Sequence, residues 1–134
     1  MIVTTLDDNQ IFWQAKAGIR NTKVKRRSSL HLRARRLLNE HFKALPILEE
    51  VAIPISKLKF LYLDFYIPSI LLAVEVQGEQ HYKFNSFFHK RRMDFVKQKV
   101  NDKNKEEWCT LNNIGLVTWP YDENDIQWIQ KLKQ

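Results

Sequence analysis

Two carboxylates sit inside apolar, strand-like runs in the stretch Leu61 to Tyr82, LYLDFYIPSILLAVEVQGEQHY, and no other feature restricts the fold of this chain so tightly. Asp64 stands among Leu61, Leu63, Phe65 and Ile67, and Glu75 falls late in the run ILLAVEV. A strand that buries its apolar neighbours must desolvate each acid, which is costly unless a partner or a cation meets the charge. Aspartate is also a poor strand former. Eleven positions separate the acids, with Pro68 and Ser69 between them, the pattern of two short strands joined by a tight turn. Such a hairpin can set the two acids side by side. Period two puts Glu75 and Gln77 on one face and Val74 and Val76 on the other; Gly78 ends the strand, with Gln80 and His81 at its mouth.

A chain of 134 residues, 44% hydrophobic and 12% aromatic, has the material for one compact domain with a full core. Its single cysteine, Cys109, excludes an internal disulfide and a thiolate zinc cluster. No leader pattern opens the sequence, and the longest apolar run, Tyr66 to Val74, is too short to cross a bilayer. The expectation is a soluble, intracellular, cytoplasmic protein with no membrane partner.

The net charge of +7 is unevenly placed. From Ile11 to Asn39 there is no acid, while Lys16, Arg20, Lys23, Lys25, Arg26, Arg27, Arg33, Arg35 and Arg36 supply nine bases. The remainder, 13 bases against 15 acids, is close to neutral. A second cluster of eight bases runs from Lys83 to Lys105, partly balanced by local acids. Such stripes attract phosphate backbones, so nucleic acid is the expected partner, against the plainer reading of a solvated surface.

Residues 1–27 read as an N-terminal arm: Met1 to Gln10 shows no clear pattern, Phe12 and Trp13 suit core packing or base stacking, and Lys16 to Arg27 is extended and basic, broken at Gly18. Residues 28–134 read as a single domain. Ser28 or Ser29 caps a helix reaching about Phe42, with Leu30, Ala34, Leu37, Leu38 and Phe42 inward and His31 beside that stripe. Leu45 to Ile55 makes a first strand bounded by Pro46 and Pro54, Lys57 to Lys59 the turn, and Phe60 to Ile67 and Ile70 to Gln77 the next two strands. A long helix from about Phe87 to Asn112 carries Met93, Val96, Val100, Trp108 and Leu111 on one side, with Asp102 off that stripe as an ordinary surface acid would be. Ile114 to Trp119 is a fourth strand, and Asp125 to Leu132 a closing helix whose Ile126, Ile129 and Leu132 pack back. The fold class is α/β, an α+β sandwich in the order αβββαβα.

That order, with an acid late in the second strand and an acid-x-polar pair ending the third, resembles the PD-(D/E)XK restriction-endonuclease-like nucleases over roughly Ser28 to Tyr121. The runs DFYIPSILLAVEVQGEQHY and NDKNKEEWCTLNNIGLVTWPY are similar to those of very-short-patch repair endonucleases and the related small phage nucleases and homing endonucleases. The resemblance implies that Asp64 and Glu75 bind the metal, that His81 is the motif's histidine and that Asp102 is the acid on the following helix. His31 stands where these relatives usually carry a glutamate, and Gln77 where the superfamily has lysine. Both are departures from the pattern.

Phosphodiester hydrolysis needs a charged oxygen neutralised and a water activated, and a hard divalent ion held by carboxylates does both. Magnesium keeps several waters, so Asp64, Glu75 and a carbonyl near Val76 would suffice, and manganese would substitute. Gln77 can orient water but brings no charge, so the missing cation must come from elsewhere. His81 suits general base or leaving-group acid, and Lys83 could supply charge to the transition state. Lys83, Lys90, Arg91 and Arg92 suit phosphate contacts. The expectation is a magnesium-dependent endonuclease acting on duplex DNA, of site-specific or homing type, in the host cell if phage-encoded. Its alternatives are a structure-specific nuclease or junction resolvase, which would form a homodimer; a catalytically inactive binding module; and an RNA-directed protein stacking bases on Trp13 and Tyr82.

Overall fold

The computed structural model describes residues 1–18, 28–84, 89 and 91–133. Its first element is an antiparallel hairpin of β1 (Ile2–Thr4) and β2 (Gln10–Phe12), which the sequence pattern did not disclose. Thr5 closes its loop, donating its N–H to Asn9 O at 2.8 Å and accepting the Asn9 N–H on its hydroxyl at 3.0 Å. With strands three residues long, alternation has no room to register.

Ser28 caps α1 (Ser29–His41), its hydroxyl accepting the His31 N–H at 3.1 Å, so the helix begins where the serine pair predicted. β3 (Leu48–Ser56) and β4 (Lys59–Ile67) form a long hairpin, a 3-10 turn over Pro68–Ile70 with Leu71 left-handed leads into β5 (Leu72–Gln77), and a second such turn spans Glu79–His81. α2 (Arg92–Leu111) crosses to β6 (Gly115–Pro120), and α3 (Asp125–Gln130), capped by Asn124, closes the chain. The sheet order is β3-β4-β5-β6, with β6 parallel to β5 and the other pairs antiparallel. β3 runs through Pro54 instead of stopping there. It is an edge strand, where a missing N–H costs no ladder bond, and its register shifts just past the proline.

The sheet is covered on both faces. On one, Ala34, Leu37 and Leu38 of α1 and Trp128 and Leu132 of the C-terminal segment pack on Phe65, Ile67, Leu72, Val74, Val117 and Trp119. On the other, Trp108 and Cys109 of α2 meet Val51, Ile53, Leu63, Tyr66 and Ala73 together with Val3 and Trp13. The first residues are therefore part of the folded body. Trp13 is buried between Tyr66 and Trp108, with ring centroids 5.5 and 5.3 Å away, and donates its indole N–H to Ala52 O at 3.0 Å. It has no face left for a nucleobase. Phe12, expected in the core as well, is exposed. Asn112 ties the hairpin down, accepting the Thr4 N–H at 2.8 Å and donating to Thr4 O at 3.0 Å. Gly18 donates to Glu49 O at 3.0 Å, and a Cβ there would stand 2.3 Å from Glu50 O, so this close approach to the sheet edge requires glycine.

Two packing expectations are overturned. Met93, Val96, Val100 and Leu111 are exposed, because α2 turns Gln98, Asp102, Lys105 and Cys109, spaced by four, three and four residues, toward the sheet. At about 100° per residue, the stripe through Val100 then lies roughly opposite. In α3, Ile126 is exposed and Trp128 takes the inward position, stacked on Trp119 at 4.7 Å with the Arg33 guanidinium 3.6 Å from its own ring centroid.

Candidate active site

Asp64 and Glu75 meet because of how β4 and β5 diverge. Their ladder pairs Ile67 with Leu72, Tyr66 with Ala73 and Phe65 with Val74, and the next step sets Asp64 opposite Glu75. There the side chains take over from the backbone: the Asp64 N–H donates to Glu75 Oε2 at 3.3 Å, and the Val76 N–H donates to Asp64 Oδ2 at 3.0 Å. Alternation also breaks at this level, since Leu61 and Leu63 pack toward α2 while Phe65 and Ile67 pack toward α1. Across from Asp64 in register, Glu50 of β3 is buried and left-handed, with φ 58°. The sheet is distorted where it carries its acids, a pattern common next to sites of chemistry.

Glu75 is 6% exposed, and from α2 the Lys105 ammonium comes 2.9 Å from its Oε1. Burial pushes the Glu75 carboxyl well above its ordinary value, the Asp64 carboxylate adds to this, and Lys105 opposes without prevailing. Lys105 is also displaced upward: burial works against its charge, and Glu75, Asp64 and Asp102 outweigh it. Two acids and one base enclosed together carry one negative charge too many when all are ionised, which is an electrostatic invitation to a cation. Cys109, behind this group, is pushed up to about 12 by burial and by Glu75, and stays a thiol.

The strain predicts a measurable trade. Because folding raises the Glu75 pKa, the folded state holds its proton while the unfolded chain loses it. The contribution of Glu75 to metal-free stability is therefore largest below the ordinary value of 4.5 and falls as pH rises toward and through its raised value. Glu75→Gln is expected to flatten that decline in thermal melts and to raise Tm at pH 8, by roughly 3–5 °C for each kcal/mol relieved.

His81, placed just past β5 by the turn after Gly78, donates or accepts through Nδ1 with Asp102 Oδ2 at 2.9 Å. The next links assign the proton. His89 Nε2 meets Gln98 Oε1 at 2.7 Å, so His89 is the donor, and the Gln98 amide N–H then points at His81 Nε2, 3.2 Å away. In that chain of bonds His81 accepts the Gln98 amide on Nε2 and donates its Nδ1–H to Asp102 Oδ2. Glu75, Gln77, Asp102, Lys105 and Thr118 line one cleft of about 220 Å³, whose rim carries Lys99 and Lys103. One member of each pair, Glu75 and Asp102, thus opens on the same space, with Asp64 joined to Glu75 through its backbone N–H and His81 bonded to Asp102 behind them. Gln77 lies in it with its oxygen accepting the Tyr82 hydroxyl at 2.8 Å, an arrangement that commits the amide oxygen.

Not every expected residue joins them. His31 lies on the α1 side, stacked on Phe65 at 4.5 Å and bonded to Glu49 at 2.6 Å; Arg35 grips the same carboxylate at 2.8 and 2.9 Å. Burial raises the Glu49 carboxyl, and the bonds from Arg35 and His31 outweigh this to hold it below its ordinary value. Arg33 is occupied by Asp125 at 2.6 Å and the Glu123 carbonyl at 2.9 Å, which binds α1 to the C-terminal segment. Lys16, Lys83, Arg91 and Arg92 are exposed. The other expected phosphate contacts, Arg20, Lys23, Lys25, Arg26, Arg27 and Lys90, lie outside the described residues. Lys105 is the site residue that sequence reasoning passed over. Its signal was helical spacing, three residues after Asp102 and seven after Gln98.

Among the described residues no group of three or more His, Cys, Asp or Glu side chains is arranged to hold a metal ion. The donor set of two carboxylates still fits an ion that retains most of its water, as magnesium does. No described helix is long and apolar enough to cross a membrane.

Three viral proteins share about half of this chain. It is 42% identical over 66 residues to uncharacterized protein 307L of Invertebrate iridescent virus 6, covering 49% of this chain and 34% of that protein. It is 39% identical over 61 residues to uncharacterized protein 033L of Invertebrate iridescent virus 3, covering 46% and 31%, and 43% identical over 68 residues to uncharacterized protein 094L of Frog virus 3, covering 50% and 44%. The matched stretch is thus less than half the length of each relative. No protein-family model matches the chain, and no solved structure does.

Proposed function

We propose that the chain is a divalent-metal-dependent endonuclease that hydrolyses phosphodiester bonds in DNA, of the class whose acids, histidine and helix aspartate its sequence resembles. The observation that carries this reading is that Glu75 and Asp102 line one cleft, each with its partner beside it: Asp64 across the strand pair and His81 in the turn after β5. Magnesium or manganese on Asp64 and Glu75 would neutralise a nonbridging phosphate oxygen and lower the pKa of a bound water. Val76 N–H and the Asp64 N–H fix the orientation of the two carboxylates, so little reorganisation is left for the reaction. As the water oxygen bonds to phosphorus and the phosphorus–oxygen bond to the leaving sugar breaks, one proton passes to Nε2 of His81. The leaving alkoxide takes a proton from bulk water, and Asp102 stabilises the imidazolium. Gln98 must release Nε2 first. Exposed Lys16, Lys83, Arg91 and Arg92 suit phosphate contacts along the strand.

The test is cleavage of supercoiled plasmid, linear duplex, branched duplex and single-stranded DNA or RNA, each with magnesium, manganese or chelator, with binding followed on the same samples. Metal-dependent cutting of plasmid or linear duplex supports the endonuclease reading, and cutting confined to branched DNA moves it to junction resolution. Binding without cutting on every substrate makes the chain a binding module.

A further inference from the structure

Gln77 brings no charge to the cleft, and its oxygen is held by Tyr82, so any positive charge there comes from lysine. Three lysines line the cleft, and they differ in what they do. Lys99 lies over the Tyr82 ring at 5.1 Å, and Lys103 pairs loosely with Glu107 at 3.9 Å. Lys105 alone among these three is enclosed, its side chain 19% exposed and its ammonium 2.9 Å from Glu75 Oε1. Glu75 Oε1 is itself buried, and the Lys105 ammonium is the group brought closest to it.

Resting on the nuclease reading, we propose that Lys105 supplies the fixed positive charge of the cleavage step, delivered from α2 into the cleft beside Glu75. A lysine ammonium is a compact point charge on a flexible stem, able to shift from the carboxylate toward a phosphate oxygen as an ion arrives. No proton moves to or from it; it counters the charge that builds on the phosphate oxygens while the bonds to phosphorus change. The same placement makes Lys105 a competitor of the metal, since both are drawn to Glu75. A lysine that served only to support the fold would help the ion site by keeping Glu75 in place.

The two roles separate in Lys105→Met and Lys105→Arg, compared with wild type in the full chain by manganese titration and by cleavage of whichever DNA the wild type cuts. Lys105→Met is expected to bind manganese about tenfold more tightly, since a neighbouring like charge is gone. It is expected to cut at least ~10²-fold more slowly, with Lys105→Arg recovering part of the rate. The proposal is overturned if folded Lys105→Met cuts at the wild-type rate, or if manganese affinity and cutting fall together. Should Lys105→Met not fold, Lys105→Arg decides: cutting retained with weak manganese binding like that of wild type supports the charge role, and loss of both rejects it. A wild type that neither binds manganese nor cuts rejects the underlying nuclease reading instead.

Discussion

Asp64→Asn is expected to lower metal-dependent DNA cleavage by at least ~10³-fold, about 4 kcal/mol of barrier, while the chain stays folded and still binds DNA. The substitution keeps the shape of the side chain and an oxygen for the Val76 N–H, which lies 3.0 Å from Oδ2. It removes the charge. A neutral amide is a poor ligand for a hard ion, and the phosphate oxygen is then left without its counter-charge. Stability should hold or rise, because the anionic neighbour that helps push Glu75 upward is gone. Cleavage rates with magnesium, a thermal melt and a gel shift on one preparation separate the three quantities. A folded Asp64→Asn protein that cuts as well as the wild type would remove the carboxylate pair from the mechanism.

His81→Ala is expected to cost about 10²–10⁴-fold in cleavage rate, the range of a positioned general base. Asp102→Asn should cost nearly as much without touching the imidazole. Asp102 accepts the Nδ1 proton at 2.9 Å; an amide in its place can donate to Nδ1, which moves the imidazole proton to Nε2 and takes away the lone pair that would receive a proton from water. Because the pair acts as a unit, the double variant should be no slower than His81→Ala alone. Single-turnover rates of the four proteins test this directly. If the two losses multiply, Asp102 works apart from His81 and the assignment of roles fails.

The acids were legible in sequence because an aspartate and a glutamate in apolar strands demand an explanation, and the proline turn between them fixes the register. The α1 cap at Ser28 and the β3–β4 turn were legible for similarly local reasons. His81 and Asp102 were visible only by resemblance: nothing local says that a helix beginning ten residues beyond a turn will lay its second and third turns against it. Lys105 was hidden among the bases of its cluster. Hydrophobic spacing on α2 misled, because the apolar stripe through Met93, Val96 and Val100 is the outward one and the polar side of the helix serves the cleft. His31 was placed by alignment to a glutamate, yet a half-buried carboxylate on β3, Glu49, gave it a structural partner closer to hand. The N-terminal hairpin, finally, owes its existence to tertiary contacts, Val3 and Trp13 packing on α2 and the sheet and Thr4 bonding to Asn112 at the end of α2, none of them local in sequence.

The central claim is that Asp64 and Glu75 are held together in order to bind a cation. Manganese titrated into wild-type and Asp64→Asn protein, followed by calorimetry, tests it most directly. The account predicts saturable binding at one site per chain, accompanied by a rise in Tm at neutral pH, and its loss in the variant. A folded wild type that binds no manganese, or an Asp64→Asn variant that binds it equally well, would contradict the account.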